Sequence, residues 1–267
     1  MKVRFSLLTF VVYVSLVTSY TEKPAIPFVK LSGDLVHANE GINNDGENFY
    51  LSGRQLLFKT DLDLNILDKN SSPLSIWHRL QGLNHIGDFE YYDGTLILPI
   101  ERQPFYMWPA LARFDATDLT MIEYKSQSAQ HHMPWVALDK NTKFLFSSEF
   151  DDVDTLQIYD LDLKHRGSLP LAQKLPNGIQ GGTFGPTPGL LYLTCNTNES
   201  IWEIDIVTGA VKEIVSYNNL GYTLEMEGIT YFDLSQRGEG VLHFTGNPQK
   251  SLASKKMFNL NIPQEDQ

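Results

Sequence analysis

The sequence predicts an all-β chain, a five-bladed β-propeller whose ring is closed by an N-terminal strand. Three observations predict it. A polar motif recurs five times at a near-constant interval, each copy leads into a turn and an apolar β-forming run, and helical periodicity is almost absent. The five openings are HANEGINND from His37, HIGDFEYYD from His85, HMPWVALD preceded by His131, NGIQGGTFG from Asn177 and LEMEGITYFD from Leu224. Aligned at the fourth position they place Glu40, Asp88, Pro134, Gln180 and Glu227 at intervals of 48, 46, 46 and 47 residues.

Each opening is the innermost strand of a blade. The turns that follow are Asp45-Gly46, Asp93-Gly94, Asp139-Lys140, Gly185-Pro186 and a longer loop at 235–240. The second strands read NFYLS, LILPI, FLFSS, LLYLT and VLHFT. They are apolar on both faces, as a sheet sandwiched between two neighbouring sheets requires. Third strands follow, and four of them end on an Asp (Asp61, Asp115, Asp160, Asp205) suited to turning the chain back. The last unit lacks an outer strand, and the run AIPFVKLS at 25–32 supplies it.

The 267-residue chain divides into an expected secretory leader over residues 1–19 and a single propeller over 20–267. Lys2 and Arg4 precede the apolar run Leu7 to Val17, and Val17 and Ser19 fit a cleavage site. Export predicts a secreted protein, with no membrane span once the leader is removed and with glycosylation at the sequons of Asn70 and Asn198. Loss of the leader takes two basic residues and no acid, moving the formal charge from −11 to −13. Such a surface repels phosphate backbones, which excludes nucleic acid as a partner. With one cysteine, Cys195, there is no internal disulfide, and its apolar surroundings read as core.

A ring brings the repeated positions to its axis. Glu40, Asp88 and Glu227, with Gln180, form an acidic set whose mutual repulsion calls for a retained proton or a bound divalent cation. Oxygen donors make Ca²⁺ the expected ion, and three histidines near the mouth, His37, His85 and His131, make Zn²⁺ the alternative. Structural channel acids bonded to backbone N–H groups are the competing reading. The His residues are the candidate general bases. The loops after the second strands carry Arg54, Glu101, Arg102, Glu149 and Asn247 as a rim for a small polar molecule or a glycan. Trp135 and Trp202 read as core, and the acidic run at 149–154 as a solvated loop. Nucleophile-elbow, zincin, P-loop, dinucleotide and EF-hand signatures are absent.

The motif EGI at Glu227, with Gly246-Asn247 after the next strand, resembles the regucalcin and gluconolactonase propellers. That resemblance implies axial acids and amides holding a metal for lactone hydrolysis, but those rings have six blades. The spacing from Glu40 to Gly46 and from Asp88 to Gly94 is similar to that of secreted calcium-activated nucleotidases, five-bladed apyrases with an axial Ca²⁺. The basic loops that would grip a polyphosphate are missing here. Plant-type glutaminyl cyclases are similar in their blade openings and are also secreted and five-bladed. The expected function is a metal-dependent hydrolase of a small polar substrate, acting as a monomer. The alternative is a non-catalytic extracellular module that binds a carbohydrate or protein.

Overall fold

A computed structural model describes residues 28–217, 224–248 and 255–261. The leader expected over 1–19 lies outside them. The strands form five small antiparallel sheets arranged as a ring, a five-bladed β-propeller. Blade one is β2 (Gly41–Asn44), β3 (Phe49–Gly53), β4 (Leu56–Thr60) and β5 (Ile66–Asn70). Blade two is β6 (His85–Ile86) with β7 (Glu90–Tyr92), then β8 (Thr95–Glu101), β9 (Ala110–Asp115) and β10 (Met121–Ser126). Blade three runs β11 (Ala137–Asp139), β12 (Phe144–Ser147), β13 (Thr155–Tyr159) and β14 (His165–Pro170). Blade four runs β15 (Ile179–Phe184), β16 (Leu190–Cys195), β17 (Ser200–Asp205) and β18 (Val211–Ser216).

Blade five contains β19 (Leu224–Tyr231), β20 (Leu242–Pro248) and β21 (Lys256–Leu260), and its outer strand is β1 (Phe28–Lys30). The N-terminal strand therefore closes the ring, pairing Phe28 with Phe258, Val29 with Met257 and Lys30 with Lys256. Leu31 then turns inward, fully buried, and its N–H donates to the Lys255 carbonyl at 3.0 Å.

The apolar second strands bury both faces because each blade shares a core with each neighbour. Tyr50 and Leu57 of blade one pack with Phe89 and Leu98 of blade two. Ile97 and Leu111 meet Leu138 and Leu145, and Phe146 and Leu156 meet Leu191 and Leu193. Ile201 of blade four meets Phe244 and Phe258, and Leu31 and Met257 meet Ile42 and Phe58. The core is thus five interfaces around a ring, and Trp135 is fully buried in one of them.

The turn aspartates act as the sequence suggests. Asp115 Oδ1 accepts from Thr117 N–H at 2.7 Å, Asp205 Oδ1 from Val207 N–H at 2.7 Å, and Asp61 and Asp160 bond Asn65 and Lys164 likewise. A short helix, α1 (Ile76–Leu80), interrupts the repeat between blades one and two. Ser75 caps it and His78 completes a capping box, a local signal that helical periodicity over five residues is too short to reveal. The two sequon asparagines both bond within the fold: Asn70 Nδ2 donates to the Leu119 carbonyl, and Asn198 Nδ2 to Glu213 Oε2.

Leu31→Ala leaves a cavity where the closing strand meets blade one. It should cost about 2–4 kcal/mol in a denaturant melt, whereas Val29→Ala, on the exposed strand, should cost less than about 1 kcal/mol. Equal effects would mean that the strand does not lock the ring.

Candidate functional site

The first strand of blade two is broken, and the break positions the axial acid. Residues 87–89 leave the ladder between β6 and β7, carrying Asp88 to the centre of the ring. There the fully buried carboxylate of Asp88 accepts three backbone hydrogen bonds. Oδ1 takes the N–H of Ile42 at 3.0 Å, and Oδ2 takes those of Gly182 at 3.0 Å and Ile229 at 3.1 Å. Its own N–H donates to the Pro134 carbonyl at 2.8 Å and its carbonyl accepts from Val136 N–H at 3.1 Å. One residue is thereby bonded to all four other blades. Burial pushes its carboxyl above the ordinary range, while the N–H donors of Ile229, Ile42 and Gly182 pull the other way.

Glycine makes this convergence possible. A Cβ on Gly228 would fall 2.4 Å from Asp88 Oδ1, and one on Gly87 would fall 2.0 Å from the Pro134 carbonyl oxygen. Gly41 and Gly181 crowd the same point. Asp88 therefore lies level with the glycines that follow Glu40, Gln180 and Glu227, not with those residues themselves. The sequence alignment of blade two needs a one-residue correction.

Above this floor opens a cavity of about 590 Å³. Glu40, Gln180 and Glu227 line it, as do Glu225, Lys255, His85 and four amide-bearing side chains, Asn39, Gln55, Gln103 and Gln180. Gln180 Nε2 donates to Glu227 Oε2 at 2.9 Å. Burial, reinforced by the charges of Glu40 and Glu225, raises the Glu227 carboxyl well above its ordinary range, and Lys255 opposes the shift only in part.

One wall continues as a chain of ion pairs. His85 Nε2 donates to Glu40 Oε2 at 3.2 Å and His85 Nδ1 to Glu101 Oε2 at 2.9 Å. Glu101 Oε1 meets His132 Nε2 at 3.0 Å and accepts the Met133 N–H at 2.8 Å. Burial opposes a charge on His85, but hydrogen bonds to Glu101 and Glu40 outweigh it and raise its pKa to about 9. Burial would raise Glu101 too, yet the hydrogen bonds from His132 and His85 hold it down at about 2. Tyr106 and Phe150 cover His132, with ring centroids 4.3 and 4.9 Å away.

The sequence-derived residues thus sort by place. Glu40, Gln180, Glu227, His37, His85 and Arg54 border the cavity, although His37 and Arg54 are exposed. Asp88 lies beneath it. Glu101, expected on a solvent rim, is fully buried between two histidines. Arg102 turns away to the Gln81 carbonyl, and Glu149 accepts the N–H groups of His131 and His132. Asn247 donates to Glu225 Oε2 at 3.2 Å. His131 is exposed; the neighbour that joins the ion-pair chain is His132, which the repeat alignment passed over by one position. Glu225 and Lys255 were also missed, because no repeat partner marks them.

The four expected metal ligands do not form one donor set. Both Asp88 oxygens are occupied by N–H groups, and the Gln180 amide nitrogen is turned on Glu227. Among the described residues no group of three or more His, Cys, Asp or Glu side chains is arranged to hold a metal ion.

Asp88→Asn preserves shape but turns an amide N–H₂ toward at least one backbone N–H. It should destabilise the fold by about 1–6 kcal/mol, at 1–3 kcal/mol for each of the one or two donors left unmet, as read by denaturant unfolding; a loss under about 1 kcal/mol would show the ring does not lean on this carboxylate. His85 makes a separate, pH-dependent prediction. Its folded pKa is raised from 6.5 to about 9, so the stability it contributes is complete below pH 6.5 and is lost as the pH rises through 9. The melting-temperature deficit of His85→Gln should be largest below pH 6.5 and shrink above pH 9; a deficit independent of pH would mean the ring is not held as an imidazolium.

No family model matches the sequence, and no curated protein matches it. Solved structures do. Glutaminyl cyclase from Myxococcus xanthus superposes with a TM-score of 0.59 at 13% identity, over 90% of this chain and 96% of that one. Hydrazine synthase from Kuenenia stuttgartiensis gives a TM-score of 0.49 at 11% identity, over 81% of this chain and 58% of that one. The first likeness shows that this chain shares the five-bladed propeller fold of a glutaminyl cyclase.

Proposed function

We propose that the protein is an acid–base enzyme acting on a carboxamide, and that its reaction is cyclisation of an N-terminal glutaminyl residue with loss of ammonia. The observation that carries this reading is the pair of acids Glu40 and Glu227 lining one amide-rich cavity, where burial and the charges of Glu40 and Glu225 push the Glu227 carboxyl up. A carboxyl whose proton affinity is raised by burial and by neighbouring acids is suited to give a proton to a leaving group. Asn39, Gln55, Gln103 and Gln180 offer the paired donors and acceptors that a substrate amide matches. The glutaminyl cyclase of the same fold supports the choice of amide chemistry.

In this reading the substrate α-amine attacks its own γ-carboxamide carbon, and Glu40 takes the proton the amine loses. The carbon–nitrogen bond to the amide nitrogen then breaks as Glu227 gives that nitrogen its proton. Ammonia leaves and a lactam remains. The proton on Glu40 returns to Glu227 and the site is reset. Lys255, the buried cation of the cavity, is placed to oppose charge on the carbonyl oxygen. The His85 imidazolium fixes Glu40 in place through its bond to Oε2. Water in place of the amine would make the same pair an amide hydrolase, so the product separates the two reactions.

The test is mass spectrometry of a peptide with N-terminal glutamine. Loss of ammonia with no gain of water is expected. Glu227→Gln should lower the rate by about 10²–10⁴-fold, the usual contribution of a general acid, while leaving the melting temperature equal or higher because a buried acid has been removed. Conversion of the glutamine to glutamate would make the protein a hydrolase instead. Binding of the peptide without any turnover would favour the non-catalytic module. Activity should survive a chelator; loss that Ca²⁺ or Zn²⁺ restores would overturn the metal-free assignment of acid and base.

A further inference from the structure

The cavity described above does not end at its polar lining. Gln103 lines it, and the chain that leaves Gln103 displays Phe105, Met107 and Trp108 to solvent. Helix α1 adds Ile76, Trp77 and Leu80. Phe105 is 78% exposed and Trp77 71%, values that single out both among the described aromatic residues. Large exposed apolar patches on folded proteins mark interaction sites.

The two apolar segments are joined by one residue. Arg102 Nε donates to the Gln81 carbonyl at 3.0 Å, just past α1, and its Nη1 reaches the Met107 carbonyl at 3.5 Å. The loop is also fixed beside the cavity, since the Tyr106 ring lies on His132, which Glu101 joins to the cavity-lining His85. Two aromatic residues of this loop hold left-handed backbone conformations, Tyr106 at φ 43° and Trp108 at φ 51°. Bulky residues at positive φ are strained and persist where the surrounding structure holds them. The display of these side chains is therefore imposed by the fold.

We infer that this face is the subsite for the residues that follow the reacting N-terminus, and that the substrate is a polypeptide with apolar or aromatic side chains shortly after its first residue. The inference rests on the cyclisation reading. Phe105 is two residues from Gln103, and two residues of chain span at most about 7 Å. The patch thus begins within reach of the second or third residue of a peptide whose first residue occupies the cavity. The alternative occupant, a lipid surface, is disfavoured by the formal charge of −11, since membranes with anionic headgroups repel such a chain.

The experiment compares two substrates, Gln-Gly-amide and a pentapeptide of the form Gln-Gly-Phe-Leu-Ala, on the wild type and on the triple variant Trp77→Ser, Phe105→Ser, Trp108→Ser. The three side chains are exposed, so the variant should fold, which its melting temperature checks. KM for the pentapeptide should rise about tenfold or more, the loss expected from removing exposed aromatic contacts worth 1.4 kcal/mol in total, with kcat and both constants for the short substrate unchanged. Equal kinetics for wild type and variant on both peptides would overturn the inference. So would binding of the wild type, but not the variant, to phosphatidylcholine vesicles, or a dimer that the variant abolishes. If neither peptide is turned over, the cyclisation reading fails by itself. Calorimetric titration of the pentapeptide into both proteins then decides this inference separately: binding weakened by the triple variant sustains the subsite, and binding that is absent or unchanged ends it.

Discussion

The structure depends on one buried carboxylate. Each blade of a propeller touches only its two neighbours, so nothing in the pairwise cores forces blades one, four and five toward a common point. Asp88 does so. Its oxygens gather N–H groups from blades one, four and five, and its backbone is bonded on both sides to blade three. A buried acid has to find partners of this kind, because burial without them costs several kcal/mol. The requirement that holds Asp88 therefore also fixes the radius of the ring at this level, and the glycines around it follow from the same closeness.

The function we propose uses the consequence. Because Asp88 and its glycines fill the axis, the space above them is a cup with a floor, not an open pore. Side chains from four of the blades then share that cup: Glu40, His85, Gln180, Glu225 and Glu227. Burial and two neighbouring acids push the Glu227 carboxyl up, whereas two histidines hold Glu101 down at about 2. In the proposed reaction, the floor matters as much as the acids it holds above it.

Much of this was legible in the sequence, and the failures have physical causes. The repeat, the doubly buried second strands, the Asp turns and the closing strand all follow from spacing and pattern, which is what a ring of like units writes into a chain. Trp135 was correctly read as core. The role of Asp88 was misjudged because position in each opening, not backbone level, was used to align it with Glu40 and Glu227. The glycines were the better ruler: Gly41, Gly181 and Gly228 mark the crowded level to which Asp88 belongs. Glu101 was placed on a rim because the loops after the second strands were expected to emerge at the mouth, whereas every second strand ends on a buried residue. Its burial depends on His85 and His132 arriving from both sides, a contact between blades that local sequence does not encode. Helix α1 and the loop after Gln103 lie outside the repeat altogether, and no periodic argument reaches them.

The central claim is that a single carboxylate couples the blades at the axis, and native-state hydrogen exchange reads it most directly. The amides of Ile42, Gly182 and Ile229 come from three blades and share one acceptor. They should be among the slowest in the protein and should exchange at one common free energy, equal to that of global unfolding. Exchange of any of the three by local opening, several kcal/mol easier than the others, would show that its blade moves independently of Asp88 and would contradict the account.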